Sequence, residues 1–429
     1  MNRKNLFNKH SLLDVISFSG FLTAIKLLLS LISQKFVAIW LGASGMALMA
    51  NFRNVLELAT VFSSAGTQNG VVAYYSEHQN QTQLRSFFST VISLLLSMSI
   101  LIIVILFWNA NTLNFLIFDS LDDNHIFIKA IAVVVPFIAI NSALEGVLTG
   151  IKLYKPVTKI QFYSTAISLV SMIPLIYYYQ LNGAFTALLL RPVSMLILTL
   201  YFFRNSNLIQ RISFELKFKR EYFHELLPFI FMSFLSIGLL ALTNLGIRIT
   251  ITEKIDLDQA GFWSAITSIS SNYFLFINVA FTLYVFPKFA EKNNFFNLKN
   301  EARHILNTLL PIVSMGLLLV YVLRDFLIQL LFTDSFEVIS PLFKWQILAD
   351  WFRVIFLVFA YFIVAKKRVK DYFIVEVVSF LVFFILAFLL IDVYGIEGVV
   401  IANFLRYLVC LSVVLVLLRK PLTIHKLQK

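Results

Sequence analysis

Long uninterrupted apolar runs dominate the chain, and the polar residues gather in short clusters between them. A helix needs roughly 20 apolar residues to cross a hydrocarbon core of about 30 Å. By that measure the pattern predicts twelve spans, near residues 12–40, 46–74, 86–108, 126–149, 158–179 and 183–203, then 225–250, 260–286, 304–323, 341–365, 371–391 and 396–418. Continuous runs of this length exclude barrel strands, which alternate over about ten residues. The connections are short, except for a basic, partly amphipathic stretch in the middle of the chain.

A constant offset of 215 residues relates the two halves. Without a gap it carries Asp119-Ser120 onto Asp334-Ser335, Lys129 onto Lys344, and Lys152 and Lys155 onto Lys367 and Lys370. It continues through Gly183 and Gly398, Ala187 and Ala402, and Leu190-Arg191 and Leu405-Arg406. Six spans per half give both halves the same orientation, so the repeats are parallel, a hallmark of carriers. The expected fold class is all-α integral membrane, with twelve transmembrane helices in two parallel six-helix lobes around a central cavity. Residues 1–204 form the first lobe, 205–224 the cytoplasmic linker and 225–429 the second lobe.

Composition agrees, with 59% hydrophobic and only 14% charged residues and a mean hydropathy of +0.84. A net charge of +12 raises the question of nucleic acid, but the distribution of charge answers it. With the N-terminus in the cytoplasm, 24 of the 35 Lys and Arg fall on that side, Lys254 and Arg324 fall outside, and the other nine lie within spans. This is the positive-inside pattern of a multi-pass protein with both termini cytoplasmic, and no nucleic-acid partner is needed to explain the basicity. The tryptophans Trp40, Trp108, Trp263, Trp345 and Trp351 fall near outer helix ends, where an indole prefers the interface. The single cysteine, Cys410, excludes an intramolecular disulfide.

Catalytic chemistry is not visible. The sequence has no glycine-rich phosphate loop, no Ser-His-Asp arrangement and no metal-ligand cluster, and no histidine falls at membrane depth. No catalytic residue, metal or cofactor is therefore expected, and without a Walker motif the chain cannot drive itself by ATP hydrolysis.

The informative residues are charges inside the bilayer, which are costly unless they face a wet cavity or a partner. The cations are Lys26 and Lys35 in span 1, Arg53 in span 2, Arg191 in span 6, Arg248 in span 7, Arg353 in span 10 and Arg406 in span 12. The acids are Glu57, Glu145, Asp350 and Glu376, with Asp14 near an inner end. Some have structural readings. Arg53 and Glu57, and Asp350 and Arg353, share helix faces and can neutralise each other, Lys35 can snorkel, and the repeat-related Arg191 and Arg406 can anchor the two bundles. Lys26, Arg53 and Arg248 read as substrate contacts, because a cavity rich in Lys and Arg suits an anion, and phosphate matches both. Asn51, Arg353 and Arg191 complete the candidate binding set, and Glu57, Asp350 and Glu376 are candidates for ion coupling. The polar run from Ser63 to Gly70 in span 2 reads either as a bend or water-lined wall, or as a tight helix contact through small residues.

The segments Leu41-Gly42-Ala43-Ser44-Gly45, Ala50-Asn51-Phe52-Arg53, Ala65-Gly66 and Asn69-Gly70-Val71 resemble the polysaccharide-exporter branch of the multidrug/oligosaccharidyl-lipid/polysaccharide superfamily. That branch includes the O-antigen and enterobacterial-common-antigen lipid III flippases. Val322-Leu323-Arg324-Asp325-Phe326, Trp345-Gln346-Ile347, Asp350 and Glu376-Val377 extend the resemblance through nearly the whole chain. It implies a two-lobe fold with a central V-shaped cavity in the bacterial inner membrane. It also implies alternating-access flipping of an undecaprenyl-pyrophosphate-linked oligosaccharide from the cytoplasmic to the periplasmic leaflet, the polyprenyl tail staying in membrane lipid. By position, Arg53 and Arg248 match cationic sites of the family, with Lys26 beside them. Glu57 and Arg406 depart from its pattern, which leaves the glycan open. A glycan polymerase and a chain-length regulator are the protein partners such a role implies. The alternative is a multidrug or cation antiporter of the same fold, which would want a carboxylate cluster and aromatic lining. A membrane glycan polymerase or ligase would carry a large catalytic outer loop, and the sequence has no room for one.

Overall fold

The computed structural model describes residues 12–424 except 65, 79, 119–124, 207, 209–211, 213–214, 282–284, 286–287, 290–295 and 367. Asp119, Ser120 and Lys367 of the repeat, and both chain ends, thus lie outside the described residues. Regular structure among the described residues is helical throughout. In chain order it comprises α1 (Leu12–Ser64), α2 (Thr67–Glu77), α3 (Gln81–Trp108), α4 (Ala110–Phe118), α5 (His125–Gly150) and α6 (Tyr154–Asn205). Next come α7 (Arg220–Ser233), a π turn (Phe234–Gly238), α8 (Leu239–Lys254) and α9 (Leu257–Ala280). Then follow α10 (Phe296–Val322), α11 (Arg324–Leu331), a 3-10 stretch (Asp334–Leu342), α12 (Phe343–Ala365) and α13 (Val369–Ile424).

Three of these helices are too long for one crossing. At 1.5 Å per residue the 53 residues of α1 would extend about 80 Å, well over twice the hydrocarbon core. Each is broken by one residue with positive φ: Gly42 in α1 (φ 64°, ψ −161°), Gln180 in α6 (φ 47°, ψ −127°) and Gly395 in α13 (φ 55°, ψ −139°). Gln180 and Gly395 are related by the 215-residue offset, and the turns around them are built alike. Three residues after each stands a glycine, Gly183 or Gly398, whose Cα lies against the carbonyl of Leu175 or Leu390. Those residues also form an equivalent pair under the offset. A carbonyl eight residues back can reach the glycine only if the chain has reversed, and a Cβ at either glycine would collide with it. The duplication read from sequence is therefore present in the geometry.

Eight helices among the described residues are long and apolar enough to cross a membrane. With both arms of the three reversing helices counted separately and α9 added, the crossings number twelve, and the chain is a multi-pass membrane protein. Exposed apolar residues on α10 (Ile312, Met315, Leu318, Leu319 and Val322) lie at helical spacing, as on a lipid-facing surface. The helix α9 is the least apolar of the spans because Ser264, Thr267, Ser268, Ser270 and Ser271 punctuate it. Asp256 begins it with an N-cap, accepting from the Gln259 amide at 2.7 Å.

The chain divides into two compact units, residues 1–36 with 56–234, and residues 37–55 with 235–429. In the first, Val71, Tyr74, Phe87, Phe88, Leu144 and Phe203 belong to one buried cluster, with Tyr74 stacked on Phe87 at 3.8 Å. The polar run of span 2 satisfies both of its readings here. Gly66 adopts φ 59° and separates α1 from α2. The same residue sits against Ser233 and the Phe229 carbonyl, while Gly70 sits against Leu226 and Phe229, so the missing side chains also let α7 approach. The second unit is built around Phe274, Phe281, Val354, Phe362, Tyr407 and the free thiol of Cys410. Between the helical parts, Lys217 of the linker stands 2.6 Å from Glu215 and holds that exposed carboxyl below its ordinary pKa by hydrogen bond and charge.

Candidate functional site

Intramembrane charges among the described residues gather in groups in both units. In the first unit, Glu145 on α5 is almost fully buried and accepts a hydrogen bond from the Gln161 side-chain amide on α6. Its charge interacts with Arg191, on the second arm of α6, and with Lys26 on α1. Lys26 is half-buried and Arg191 exposed. Two predicted binding residues thus lie within electrostatic reach of one carboxylate, and each of the three charges comes from a different span.

The second unit brings Arg248 and Asn51 together. Arg248 is 5% exposed. Its Nε donates to Ser264 Oγ at 2.8 Å and its Nη1 to Asn51 Oδ1 at 3.1 Å. With the Asn54 amide oriented by its donors, Asn54 Oδ1 accepts from Arg248 Nη1 at 2.9 Å and from the Leu245 amide at 3.2 Å. The Trp263 ring lies 5.2 Å from the guanidinium carbon. Gly261 permits this, since its Cα is pressed against the Ala43 backbone and draws α9 onto α1. Arg248 therefore fastens α8 and α9 to the 43–64 arm of α1. On that same arm Arg53 and Glu57 present exposed side chains.

A second buried group centres on Asp350, which is 0% exposed. Its Oδ2 accepts from Ser270 Oγ (2.7 Å), Gln346 Nε2 (3.0 Å) and the Tyr273 hydroxyl, while its Oδ1 and the Gln346 Oε1 lack hydrogen-bond partners. Arg353, one turn on, lies within electrostatic reach of Asp350 but places its guanidinium over Phe274 at 3.9 Å and near Tyr407 at 6.0 Å. The helix-face pairing expected from sequence is thus a longer-range attraction, and the close partners of Asp350 come mainly from α9. In the third group, Arg406 donates to Ser379 Oγ at 2.6 Å, packs on Phe383 and Tyr407 (both 5.1 Å) and interacts with the charge of Glu376.

Sequence reasoning picked out the charged residues and missed their holders: Gln161, Asn54, Trp263, Ser264, Ser270 and Tyr273. For the four on span 8 the signal was the density of hydroxyls in that span, and for Gln161 and Asn54 the local sequence carried none. No group of His, Cys, Asp and Glu able to hold a metal ion occurs among the described residues.

Residues 41–341, more than half of the chain, match the family model described as polysaccharide biosynthesis protein. The chain belongs to that family. Among curated proteins it is similar to the lipid III flippase of Escherichia coli (strain K12), with 27% identity over 399 residues that cover 91% of this chain and 94% of that one. The lipid III flippase of Shigella flexneri matches equally. Among solved structures, an inward-facing multidrug-resistance MATE transporter of the MOP superfamily superposes with a TM-score of 0.78 at 13% identity, covering 94% of this chain and 95% of that one. The lipid II flippase MurJ in an inward closed conformation gives 0.72 at 17% identity, covering 94% and 87%. The fold of this polysaccharide biosynthesis family member is therefore that of the MOP transporters, two lobes of six helices each.

Proposed function

We propose that this chain is a flippase that moves an undecaprenyl-pyrophosphate-linked oligosaccharide from the cytoplasmic to the periplasmic leaflet of a bacterial inner membrane by alternating access. Both termini and the 205–224 linker are then cytoplasmic. The observation that carries this reading is that Lys26 and Arg191, from two different spans, lie within electrostatic reach of each other, in a chain similar to lipid III flippases over most of its length. A pyrophosphate diester brings two negative charges, and an Arg fork with a Lys point charge is a favourable receptor for them.

In this proposal Lys26 and Arg191 contact the pyrophosphate, and the exposed Arg53 is a further candidate contact for the lipid-linked glycan. Arg248 and Asn51 hold the helix arm that presents Arg53, and Arg353 is a further candidate contact of the second unit. Asp350 supports an ion-coupling role, because a buried carboxylate with one oxygen lacking a hydrogen-bond partner can take a proton or a monovalent cation. Glu376 and Glu57 are further coupling candidates. The antiporter reading would want several such acids together, and the Asp350 group holds one.

The test is complementation of a flippase-null strain, with membrane levels of each variant checked by blotting. Lys26→Ala, Arg191→Ala and Arg53→Ala should each abolish glycan display at normal protein level, and Arg→Lys should restore it partly at best because the bidentate fork is lost. Full complementation by all three alanine variants would reject the pyrophosphate site.

A further inference from the structure

A groove between α10 and α12, on the second unit, has no part in the transport cycle proposed above. Trp351 Nε1 of α12 donates to Ser314 Oγ of α10 at 2.9 Å and marks one end of it. Tyr321 of α10 and Lys344 of α12 line the other end, so the two helices run antiparallel along it. Seven residues separate the ends on each helix, which makes the groove about 10 Å long. Its volume is about 520 Å³, within the range of small-ligand pockets. Leu317 is buried in it, whereas Leu318 and Leu348 are exposed at its open side. With the Ser314 hydroxyl and the Trp351 indole bonded to each other, the body of the groove is hydrocarbon.

The Lys344 end lies at a membrane face, because three chain ends meet there: α10 stops at Val322, α12 starts at Phe343 and α13 reverses at Gly395. Just past that reversal, Glu397 Oε1 stands 3.0 Å from Lys344 Nζ, the two side chains being 35% and 51% exposed. Trp345 Nε1 donates to the same oxygen at 2.7 Å, and its ring lies 5.4 Å from the Lys344 ammonium. Both contacts of Glu397 fall on Oε1, which leaves Oε2 available to a further donor. Arg324, stacked on Tyr321 at 4.7 Å, has Asp325 3.7 Å away, so charge is balanced around the mouth. The 215-residue offset carries Lys344 back to Lys129 and Ser314 to Ser99, but Glu397 to Asn182, Trp345 to Ala130 and Trp351 to Pro136. The first half thus lacks the acid and both indoles, and this combination belongs to the second half alone.

We propose that this groove binds one phospholipid of the phosphatidylethanolamine class, with a hydrocarbon chain between α10 and α12 and the headgroup across Lys344 and Glu397. An apolar groove open to the bilayer takes a chain whatever its headgroup, so selection comes from the mouth. The mouth offers one cation and one carboxylate side by side, the charge pattern that complements a zwitterion. The lipid phosphate accepts from the Lys344 ammonium, and the primary ammonium donates to Glu397 Oε2. A trimethylated ammonium has no N–H to donate there. An anionic headgroup or a polyprenyl pyrophosphate is repelled by Glu397. Tyr321 and Trp345 flank the headgroup as interfacial aromatic residues do. One lipid held in this way joins the ends of three spans, α10, α12 and the second arm of α13.

The experiment is native mass spectrometry of the full chain purified in detergent. Dioleoyl phosphatidylethanolamine, phosphatidylcholine and phosphatidylglycerol are added in equal amounts, with geranylgeranyl pyrophosphate as a separate polyprenyl probe. The wild type should retain the ethanolamine lipid about tenfold over the other two, and its thermal midpoint should rise most with that lipid. Glu397→Gln, which keeps an oxygen for Trp345, should lose the preference over phosphatidylglycerol. Leu348→Trp, at the open side of the groove, should fill it and reduce retention of the ethanolamine lipid while leaving the ion pair in place. Equal retention of the three lipids by the wild type overturns the proposal, and so does a preference for phosphatidylglycerol. Retention of the polyprenyl probe that Leu348→Trp abolishes also overturns it, since the groove would then belong to a polyprenyl chain. A preference that survives in Glu397→Gln places the selectivity elsewhere and overturns it equally. If Glu397→Gln does not accumulate, the wild-type preference and its loss in Leu348→Trp decide.

Discussion

Arg191 and Arg406 occupy equivalent positions in the two halves, on the second arm of a helix that reverses at Gln180 or Gly395, yet they stand in different surroundings. Arg406 is half-buried and held by Ser379, Phe383 and Tyr407, with Glu376 close enough to act on its charge. Arg191 is exposed, with Lys26 and Glu145 within electrostatic reach. The scaffold was duplicated and its chemistry was not. One arginine is embedded in a ring-lined network, which suits a structural anchor. Its counterpart is exposed, with a second cation within electrostatic reach, which suits a ligand.

Substitutions can break this contrast. The largest effect is expected at Asp350, at the heart of the second unit. Asp350→Ala removes the acceptor of three buried donors, Ser270, Tyr273 and Gln346, and should lower stability by about 3 kcal/mol, read as a fall in the thermal midpoint of the purified protein. Arg406→Ala should act in the same direction and reduce the amount of folded protein, whereas Arg191→Ala should leave amount and midpoint near wild type while abolishing export. Equal loss of folded protein from both arginine variants would erase the distinction between anchor and ligand.

The turns offer a comparison that ought to be symmetric. Gly183→Ala and Gly398→Ala each drive a Cβ into a carbonyl eight residues back and should cost about 1–3 kcal/mol, by similar amounts in the two halves. The smallest effect sharpens the picture. Gln180 holds a positive φ that its counterpart meets with Gly395. Gln180→Gly should therefore raise stability by about 1 kcal/mol and Gly395→Gln lower it, measured by thermal unfolding in detergent.

These contrasts also mark what was legible in the sequence. The spans were visible because apolar length is dictated by bilayer thickness, and the offset already paired Gly183 with Gly398. The strained turn at Gln180 was not visible, since glutamine carries no turn signal. Arg248 and Asn51 were each singled out, but their direct bond joins residues 197 apart, and no local pattern announces such a contact. The Asp350–Arg353 spacing suggested a self-neutralising pair. Instead the polar face of α9 supplies two of the donors to Asp350, and the Phe274 ring takes the guanidinium. Local spacing predicts which residues share a face, but the partner helix decides what that face meets.

The most direct test of the central claim is a structure of the chain with its lipid-linked pyrophosphate bound, determined by cryo-electron microscopy in nanodiscs. The account predicts phosphate oxygens within hydrogen-bonding distance of Lys26 Nζ and the Arg191 guanidinium. A pyrophosphate seated on Arg406 and Arg353, away from Lys26 and Arg191, would contradict it.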